Sequence, residues 1–390
     1  MDLVLNEEQE MLARSAREFV NGRSSLRRIR ELRDRNDADG FSRDLWREMA
    51  ALGWLGIVIP EDLGGAGLGY LDQMVVLEEM GRGLMPEPFV STVLLGTTAL
   101  LLGGSAAQKK EHLAKIAAGQ RIVTIAFQEA GSRYDVNKVA AKATKSGSGW
   151  ALSGRKIQVL DGHVADLIVV SARTSGAASD ANGITLFLIA ADTPGVTMER
   201  QSRIDSRNVA LVRLDDVKVD ADAVLGDVDQ GGALLDRVLD RARIGLSAEM
   251  LGSMQAAFEM TNEYLKTRTQ FGVPIGSFQA LKHRAAKMYI ELELARSAVM
   301  GAHRALDMSA RRATDEQRDD KTIAKLASLA KARCSDAFVL IGNECVQMHG
   351  GIGVTDEADI GFFFKRARVA EMTFGDAAFH RDRTARLEGY

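Results

Sequence analysis

Two short stretches of this chain carry residues suited to holding a phosphate-bearing ligand. The first, Arg268–Gln279, begins with an arginine and contains Phe271, and the second, Cys345–Gly353, contains the pair Gly350 and Gly351. An arginine guanidinium is a planar fork of hydrogen-bond donors that suits a pyrophosphate, while a phenyl ring offers a flat apolar surface. Paired glycines let the backbone approach a ligand closely. Each feature alone is typical of helix ends and turns, so only their combination indicates a binding site.

The elements that must position these stretches follow from the spacing of apolar residues. Apolar residues recur at three- and four-residue steps in the first and last parts of the chain, which predicts helices. Short alternating or apolar runs between them, punctuated by Gly, Asp and Asn, predict a small β domain. We therefore predict an α+β protein with an N-terminal helical domain (1–120), a middle β barrel or sandwich (121–230) and a C-terminal four-helix bundle (231–390).

Local signals add detail to this outline. The segment Ser146–Gly162 predicts a hairpin followed by a strand, with bends at Gly154 and at Asp161–Gly162. The run Arg311–Asp320 is dense in charged residues and predicts a solvated loop between two helices of the bundle. Both ligand-binding stretches fall in the C-terminal helical region, near helix ends.

Composition and charge exclude several classes of protein. With 390 residues, 46% hydrophobic residues and a net charge of −3, the chain has several cores and no basic surface for nucleic acid. No apolar run reaches the roughly 20 residues that span a bilayer, and the acidic start does not resemble a signal peptide. The only cysteines, Cys334 and Cys345, are expected to be buried apolar side chains in a reducing compartment. We expect a cytoplasmic protein without nucleic-acid or membrane partners.

The helical, β, helical order and the two stretches together resemble the acyl-CoA dehydrogenase family over essentially the whole chain. The resemblance implies a tetramer that holds FAD at the seams between subunits and dehydrogenates an acyl-CoA thioester. A carboxylate takes the α proton, the β hydrogen leaves as hydride, and electron-transfer flavoprotein is the implied electron acceptor. It also implies which residues contact the FAD of a neighbouring subunit: Arg268, Phe271, Gln279, Gln347, Gly350 and Gly351.

The residues that a family member provides for its own flavin depart from the family pattern. Gln128 stands where the family has a Thr before Glu-Pro-Gly, and the family's Trp-Ile-Thr-Asn-Gly reads Gln158–Gly162, with Leu160 in place of the Thr. Both the aromatic ring and the hydroxyl that meet the flavin are therefore missing. Tyr134 stands where the family often has a Ser near the CoA phosphate.

The catalytic base is missing from both of its usual positions in the family. Phe374 occupies the place of the Glu in Tyr-Glu-Gly-Thr, and Ala242 occupies the alternative place on the first helix of the bundle. Asp376 is the candidate base, although an Asp after Gly at a helix start is commonly an N-cap. Glu371 and Asp240 lie only a few residues from the empty positions and are expected to be structural. His380, four residues later, could pair with Asp376 or form a surface ion pair.

This chain keeps the family's residues for a neighbour's flavin but lacks those for its own flavin. In this it resembles the small subunits of bacterial heteromeric acyl-CoA dehydrogenases. That branch handles dicarboxylic, steroid side-chain or aromatic-derived thioesters. We therefore predict the flavin-completing, base-lacking partner of a paralogous subunit in an α2β2 enzyme. Three alternatives stay open: a stand-alone homotetrameric acyl-CoA dehydrogenase or nitroalkane-oxidising relative with Asp376 as base, a flavin-dependent monooxygenase on the same fold, and a scaffold without an active-site role.

Overall fold

The computed structural model describes residues 4–311 and 316–390. The helices are α1 (Glu7–Arg23), α2 (Leu26–Asp34), α3 (Arg43–Ala51), α4 (Tyr70–Arg82), a π-helix (Val90–Thr97) that continues into α5 (Thr98–Gly103), α6 (Ala106–Ala117), α7 (Gly231–Thr267), α8 (Gln279–Arg311), α9 (Glu316–His349), α10 (Ile360–Met372) and α11 (Ala377–Glu388). The strands are β1 (Val123–Ala126), β2 (Lys142–Ser146), β3 (Gly149–Leu160), β4 (Leu167–Arg173), β5 (Ile184–Ala190), β6 (Val196–Gln201), β7 (Val209–Val219), β8 (Val224–Leu225), β9 (Thr269–Gln270) and β10 (Val273–Pro274). The predicted order of helices, strands and helices is confirmed.

Strands β1–β8 form a sheet that folds over its own core. They follow the order β6-β7-β3-β2-β4-β5-β8, with β1 beside β4, and the link between β2 and β4 is a single residue pair, Lys142 with Arg173. In a flat sheet β3 and β5 would lie about 14 Å apart, three strand spacings. The ring centroids of Trp150 on β3 and Phe187 on β5 nevertheless lie 5.7 Å apart. The two halves therefore pack face to face, as a sandwich does.

The predicted bend at Gly154 is wrong, whereas the predicted bend after β3 is confirmed. The hairpin between β2 and β3 turns at Gly147, whose φ is 60°, and Gly154 lies inside β3. The β3–β7 register shifts there, and a Cβ on Gly154 would lie 2.5 Å from that of Ala141. Glycine is therefore required by close packing at a bulge rather than by a turn. Asp161, with φ of 53°, forms the bend that ends β3.

The chain forms two compact units, and the division falls within α7. The bundle unit comprises Met1–Arg35, Tyr70–Met85 and Arg243–Tyr390, and the sheet unit comprises Asn36–Gly69 and Pro86–Ala242. Both predicted ligand-binding stretches lie in the bundle unit.

Three long helices, α7, α8 and α9, have 37, 33 and 34 residues and dominate the C-terminal region. The predicted loop at Arg311–Asp320 is shorter than expected because both flanking helices extend into it, and 312–315 lie outside the described residues. Cys334 and Cys345 on α9 are buried and free, as predicted, and burial raises the pKa of both thiols to about 12. They are not nucleophiles at neutral pH. Across the described residues, every helix falls short of the length and apolarity that crossing a membrane requires.

Mild acid should destabilise the bundle unit through His303. This imidazole is fully buried on α8, with Nδ1 2.9 Å from the Val299 carbonyl oxygen and Nε2 without a partner among the described residues. Burial lowers its pKa to about 4, against about 6.5 in an unfolded chain. The unfolded state therefore binds the proton first, so stability is complete above about pH 6.5 and falls as the pH drops towards 4.

The measurement is urea unfolding of the wild type and His303→Met at pH 7 and pH 5. We expect the wild type to lose about 2 kcal/mol more unfolding free energy over this interval than the variant, because only the wild type gains that proton on unfolding. Equal losses in the two proteins would show that His303 does not govern the acid sensitivity.

Candidate functional site

A tight hairpin between α7 and α8 carries Phe271. Strands β9 and β10 pair antiparallel and leave Phe271 and Gly272 as a two-residue turn. Their φ angles of 52° and 79° are both positive, as a type I′ turn requires, and this conformation is uncommon for phenylalanine. The Phe271 side chain is 92% exposed, with its ring edge-on to Phe278 at 6.1 Å. A strained turn that presents an apolar ring to solvent indicates a surface that binds something outside this chain.

Arg268 stands exposed at the base of this hairpin. Its backbone N–H donates to the Tyr264 carbonyl at 2.8 Å, and its own carbonyl accepts from the Ile275 N–H at 2.8 Å. Within 4–311 and 316–390, its guanidinium has neither an ion pair nor a hydrogen bond. A fixed backbone and uncommitted donors suit Arg268 to an anionic ligand.

The glycine pair forms an open backbone turn where α9 ends. Residues Gly350–Val354 form a short 3-10 turn, and the φ of 65° at Gly350 favours glycine. A Cβ added to Gly350 or Gly351 would meet no atom within 4 Å, so nothing in the described chain packs against them. At Gly353, by contrast, a Cβ would lie 2.5 Å from the Val346 carbonyl oxygen. Gly353 serves internal packing, whereas Gly350 and Gly351 leave room for a ligand.

An aromatic stack joins the two stretches, and sequence reasoning missed it. The rings of Tyr264 on α7 and His349 on α9 stack with centroids 4.5 Å apart and planes 21° apart. Tyr264 accepts the Arg268 N–H, and His349 directly precedes Gly350. The stack therefore holds both stretches at one end of the bundle unit. The sequence offered two signals for this stack: Tyr264 lies one helical turn before Arg268, and His349 directly precedes the glycine pair.

The two remaining predicted ligand contacts lie at neighbouring helix ends. Gln279 begins α8, Gln347 lies in the last turn of α9, and both are exposed. An ion pair between Arg284 on α8 and Glu344 on α9 joins these ends, and its hydrogen bond raises the pKa of Arg284. The hairpin, the start of α8 and the end of α9 are thus held together, and we call this set of six predicted contacts the clasp: Arg268, Phe271, Gln279, Gln347, Gly350 and Gly351.

The positions predicted for a catalytic base hold apolar side chains in the structure. Phe374 is buried in the turn between α10 and α11 with φ of 61°, and Ala242 is fully buried on α7. Gly375 has φ of 116°, and a Cβ there would lie 2.7 Å from Nε2 of His380. The turn is therefore built around glycine and offers no carboxylate at residue 374.

Asp376 caps α11, and its predicted pairing with His380 is wrong. The Asp376 carboxylate accepts the Phe379 backbone N–H at 2.8 Å, which is the N-cap arrangement. His380 is fully buried instead of lying on the surface, and its Nδ1 lies 3.3 Å from Oγ of Ser328. Burial and nearby cations lower the pKa of His380 to about 2, so it is neutral at physiological pH. Four-residue spacing placed the two side chains near each other but could not show which helix face is buried.

Two buried basic side chains, Lys331 and Arg243, hold the backbone of the Phe374 turn, and the sequence analysis missed both. Nζ of Lys331 donates to the Gly375 carbonyl at 2.8 Å, the Glu371 carbonyl at 2.9 Å and Oγ of Ser335 at 2.9 Å. Nε of Arg243 donates to the Phe374 carbonyl at 3.1 Å. Burial lowers the pKa of Lys331 to about 7. The sequence signal for this cluster was the pair Lys331 and Ser335, two polar residues four apart on the apolar face of α9.

In the sheet unit, the loop that begins at Gln128 is held by hydrogen bonds and one ion pair. The side-chain amide of Gln128 donates to the Arg133 carbonyl at 3.1 Å. The Glu129 carboxylate accepts from Nζ of Lys156 at 2.7 Å and from the Ala140 N–H at 2.8 Å. Lys156 is fully buried, which lowers its pKa to about 8. These contacts tie the loop to β3 and to the residues just before β2, and the Gln128 side chain bonds within the loop itself.

Comparisons with known proteins agree with this architecture. Family models for the acyl-CoA dehydrogenase N-terminal, middle and C-terminal domains match residues 6–120, 124–217 and 229–387. The mitochondrial isovaleryl-CoA dehydrogenase of Pongo abelii is 31% identical over 97% of this chain and 88% of its own length.

Two similar solved structures each carry a name that joins two proteins. A variant of the Tcur3481-Tcur3483 steroid ACAD has 32% identity and a TM-score of 0.84 over 98% of each chain. The ChsE4-ChsE5 complex from Mycobacterium tuberculosis has 29% identity and a TM-score of 0.85 over 100% of each chain. The three domain models match in the same order as the helical, β and helical regions of the chain. This chain therefore has the acyl-CoA dehydrogenase fold and belongs to the acyl-CoA dehydrogenase family.

Proposed function

We propose that this chain is the flavin-completing, base-lacking subunit of an α2β2 acyl-CoA dehydrogenase. The observation that carries the proposal is a contrast within the bundle unit: the clasp is open to an external ligand, whereas the Phe374 turn is closed and lacks a carboxylate at its central position. A subunit with these features can hold a neighbour's FAD but cannot take the α proton of a thioester at residue 374. The ChsE4-ChsE5 complex supports assembly with a second, paralogous chain.

The clasp suits the diphosphate part of FAD. FAD, when bound, supplies the acceptor for the β hydrogen of the acyl group. Arg268 would pair with the pyrophosphate, Gly350 and Gly351 would let the backbone approach it, and Phe271 would cover an apolar part of the cofactor. Gln279 and Gln347 offer amide groups at the same end of the bundle unit. Because Gln128 and Leu160 replace the family's flavin contacts, the flavin that these residues hold belongs to the neighbour.

The partner subunit supplies the proton acceptor in this scheme. Phe374 and Ala242 have no group that binds a proton, and Asp376 is engaged in capping α11. Lys331 and Arg243 fix the turn backbone through its carbonyl groups, which keeps Asp376 at the helix start. The substrate is an acyl-CoA thioester, and the paired steroid ACAD makes steroid side-chain thioesters the first to assay. Electron-transfer flavoprotein is the proposed electron acceptor.

The surface of the long helices also favours an oligomer. Large apolar side chains on α8 and α9 are about half exposed in this chain: Tyr289, Ile290, Leu294 and Leu329. Apolar surface of this kind on two neighbouring helices is costly in water and indicates a protein interface.

Asp376→Asn separates the proposal from a stand-alone enzyme. Asparagine caps a helix about as well as aspartate, so this change removes the carboxylate and keeps the structural role. We expect the assembled complex with the variant to keep its turnover number within about twofold, since no proton is transferred to residue 376. The measurement is dye-coupled dehydrogenation of acyl-CoA. A loss of about a thousandfold or more with an unchanged melting temperature would make Asp376 the base and contradict the proposal.

A further inference from the structure

A mostly apolar pocket of about 330 Å³ lies beside the clasp in the bundle unit. Its walls include Val346 on α9, Val354 at the end of the 3-10 turn, and Phe362 and Phe364 on α10. Val354 is 79% exposed, which is unusual for an apolar residue at the rim of an apolar pocket. The volume is large enough for one or two apolar side chains of another protein.

The pocket is continuous with the clasp along the chain. Val346 directly precedes Gln347, and Val354 follows Gly351 by three residues in a 3-10 turn. At about 2 Å per residue in such a turn, Val354 lies roughly 6 Å along the axis from Gly351. The rim of the pocket is therefore close to the predicted FAD contact at Gly351.

The charges around the pocket favour a partner with an acidic group. The carboxylate of Asp356 forms ion pairs with Arg33 at 2.7 Å and with Arg30 at 2.9 Å. These interactions lower the pKa of Asp356 to about 2. Lys365 also lines the pocket and makes no ion pair or hydrogen bond in the part of the chain that the structure describes. Its charge helps to lower the pKa of Asp356, but its N–H donors are not engaged by any described residue. Apolar walls with one available ammonium group suit an apolar side chain that has a carboxylate beside it.

We propose that this pocket is a socket for the flavin-bearing partner subunit, which inserts an apolar side chain and pairs an adjacent acidic side chain with Lys365. The inference rests on the proposed function and goes beyond it, because it assigns a protein contact outside the flavin. The socket fixes the partner's register on the clasp, and its occupant is the subunit whose FAD Arg268 holds.

The test uses the full-length chain co-purified with the proposed paralogous subunit. Val354→Arg should weaken subunit association at least tenfold, and Lys365→Glu at least threefold, as measured by the dissociation constant of the complex. Met372→Arg is the matched control, because Met372 is 65% exposed on α10 and lies outside the pocket lining. Its association should equal that of the wild type. Melting temperatures of the isolated variants confirm folding.

The outcomes separate the socket from the proposed function. Wild-type association in both pocket variants, together with FAD loss in Arg268→Ala, would overturn the socket and leave the flavin-completing role standing. A wild-type chain that forms a flavin-loaded homotetramer and ignores the paralogue would overturn both. Weakened association in both pocket variants, with unchanged Met372→Arg, is the result that supports the socket.

Discussion

Replacing Arg268 with alanine should strip FAD from the assembled enzyme even though the proposed base is on the other subunit. The guanidinium has no partner in the described part of this chain, so its donors are available to the pyrophosphate. Truncating one partner of a charge-assisted hydrogen bond in a closed site costs about 2–4 kcal/mol, which is roughly a 30- to 1,000-fold loss of affinity. FAD should therefore be lost during purification, and activity should return with added FAD.

Flavin absorbance per complex measures this loss, and Arg14→Ala is the control. Arg14 is also an exposed arginine of the bundle unit, with a side chain 66% exposed and a weak ion pair to Glu10 at 3.8 Å. Its replacement should leave flavin content and subunit association unchanged. Full flavin occupancy in the Arg268→Ala complex would contradict the trans-binding role.

Lys331→Met should lower the free energy of unfolding more than the other single substitutions proposed for this chain. The amine supplies hydrogen bonds to the carbonyl groups of Glu371 and Gly375 and to Ser335, all buried around the Phe374 turn. Leaving a buried acceptor without its donor costs about 1–3 kcal/mol, so we expect a total loss of about 3–5 kcal/mol. For a chain of 390 residues that corresponds to a fall in melting temperature of roughly 5 °C.

Ser335→Ala is the matched control for this prediction. It removes one hydroxyl from the same cluster but leaves both carbonyl groups with their lysine donor, so its cost should be about 1 kcal/mol. Thermal unfolding of the two variants beside the wild type gives the comparison. If Lys331→Met were no less stable than Ser335→Ala, the lysine would not be what holds the turn.

Local chemistry made the helices and strands predictable from the sequence, whereas the clasp residues came from the resemblance to the family and stay a prediction. Helical periodicity identified the long helices, and the arginine, the phenylalanine and the glycine pair have properties that hold in almost any context. Gly154 was misplaced because a bulge and a turn both require glycine, and only the register of β3 against β7 distinguishes them.

Contacts between distant helices could not be predicted in the same way. The Tyr264–His349 stack joins residues far apart in the sequence, and neither residue is unusual on its own helix. Lys331 looked like an ordinary helix residue, yet tertiary packing buries it completely against the carbonyl groups of the Phe374 turn. His380 was misassigned for the same reason, because a periodic pattern does not show which face of a short polar helix is turned inward.

The number of flavins per chain, counted by native mass spectrometry with and without the paralogous subunit, tests the flavin-completing role most directly. We expect this chain alone to carry no FAD, and the co-expressed pair to form a tetramer with two FAD molecules and acyl-CoA dehydrogenase activity. A homotetramer with one FAD per chain, whose dehydrogenation is abolished by Asp376→Asn, would contradict that role.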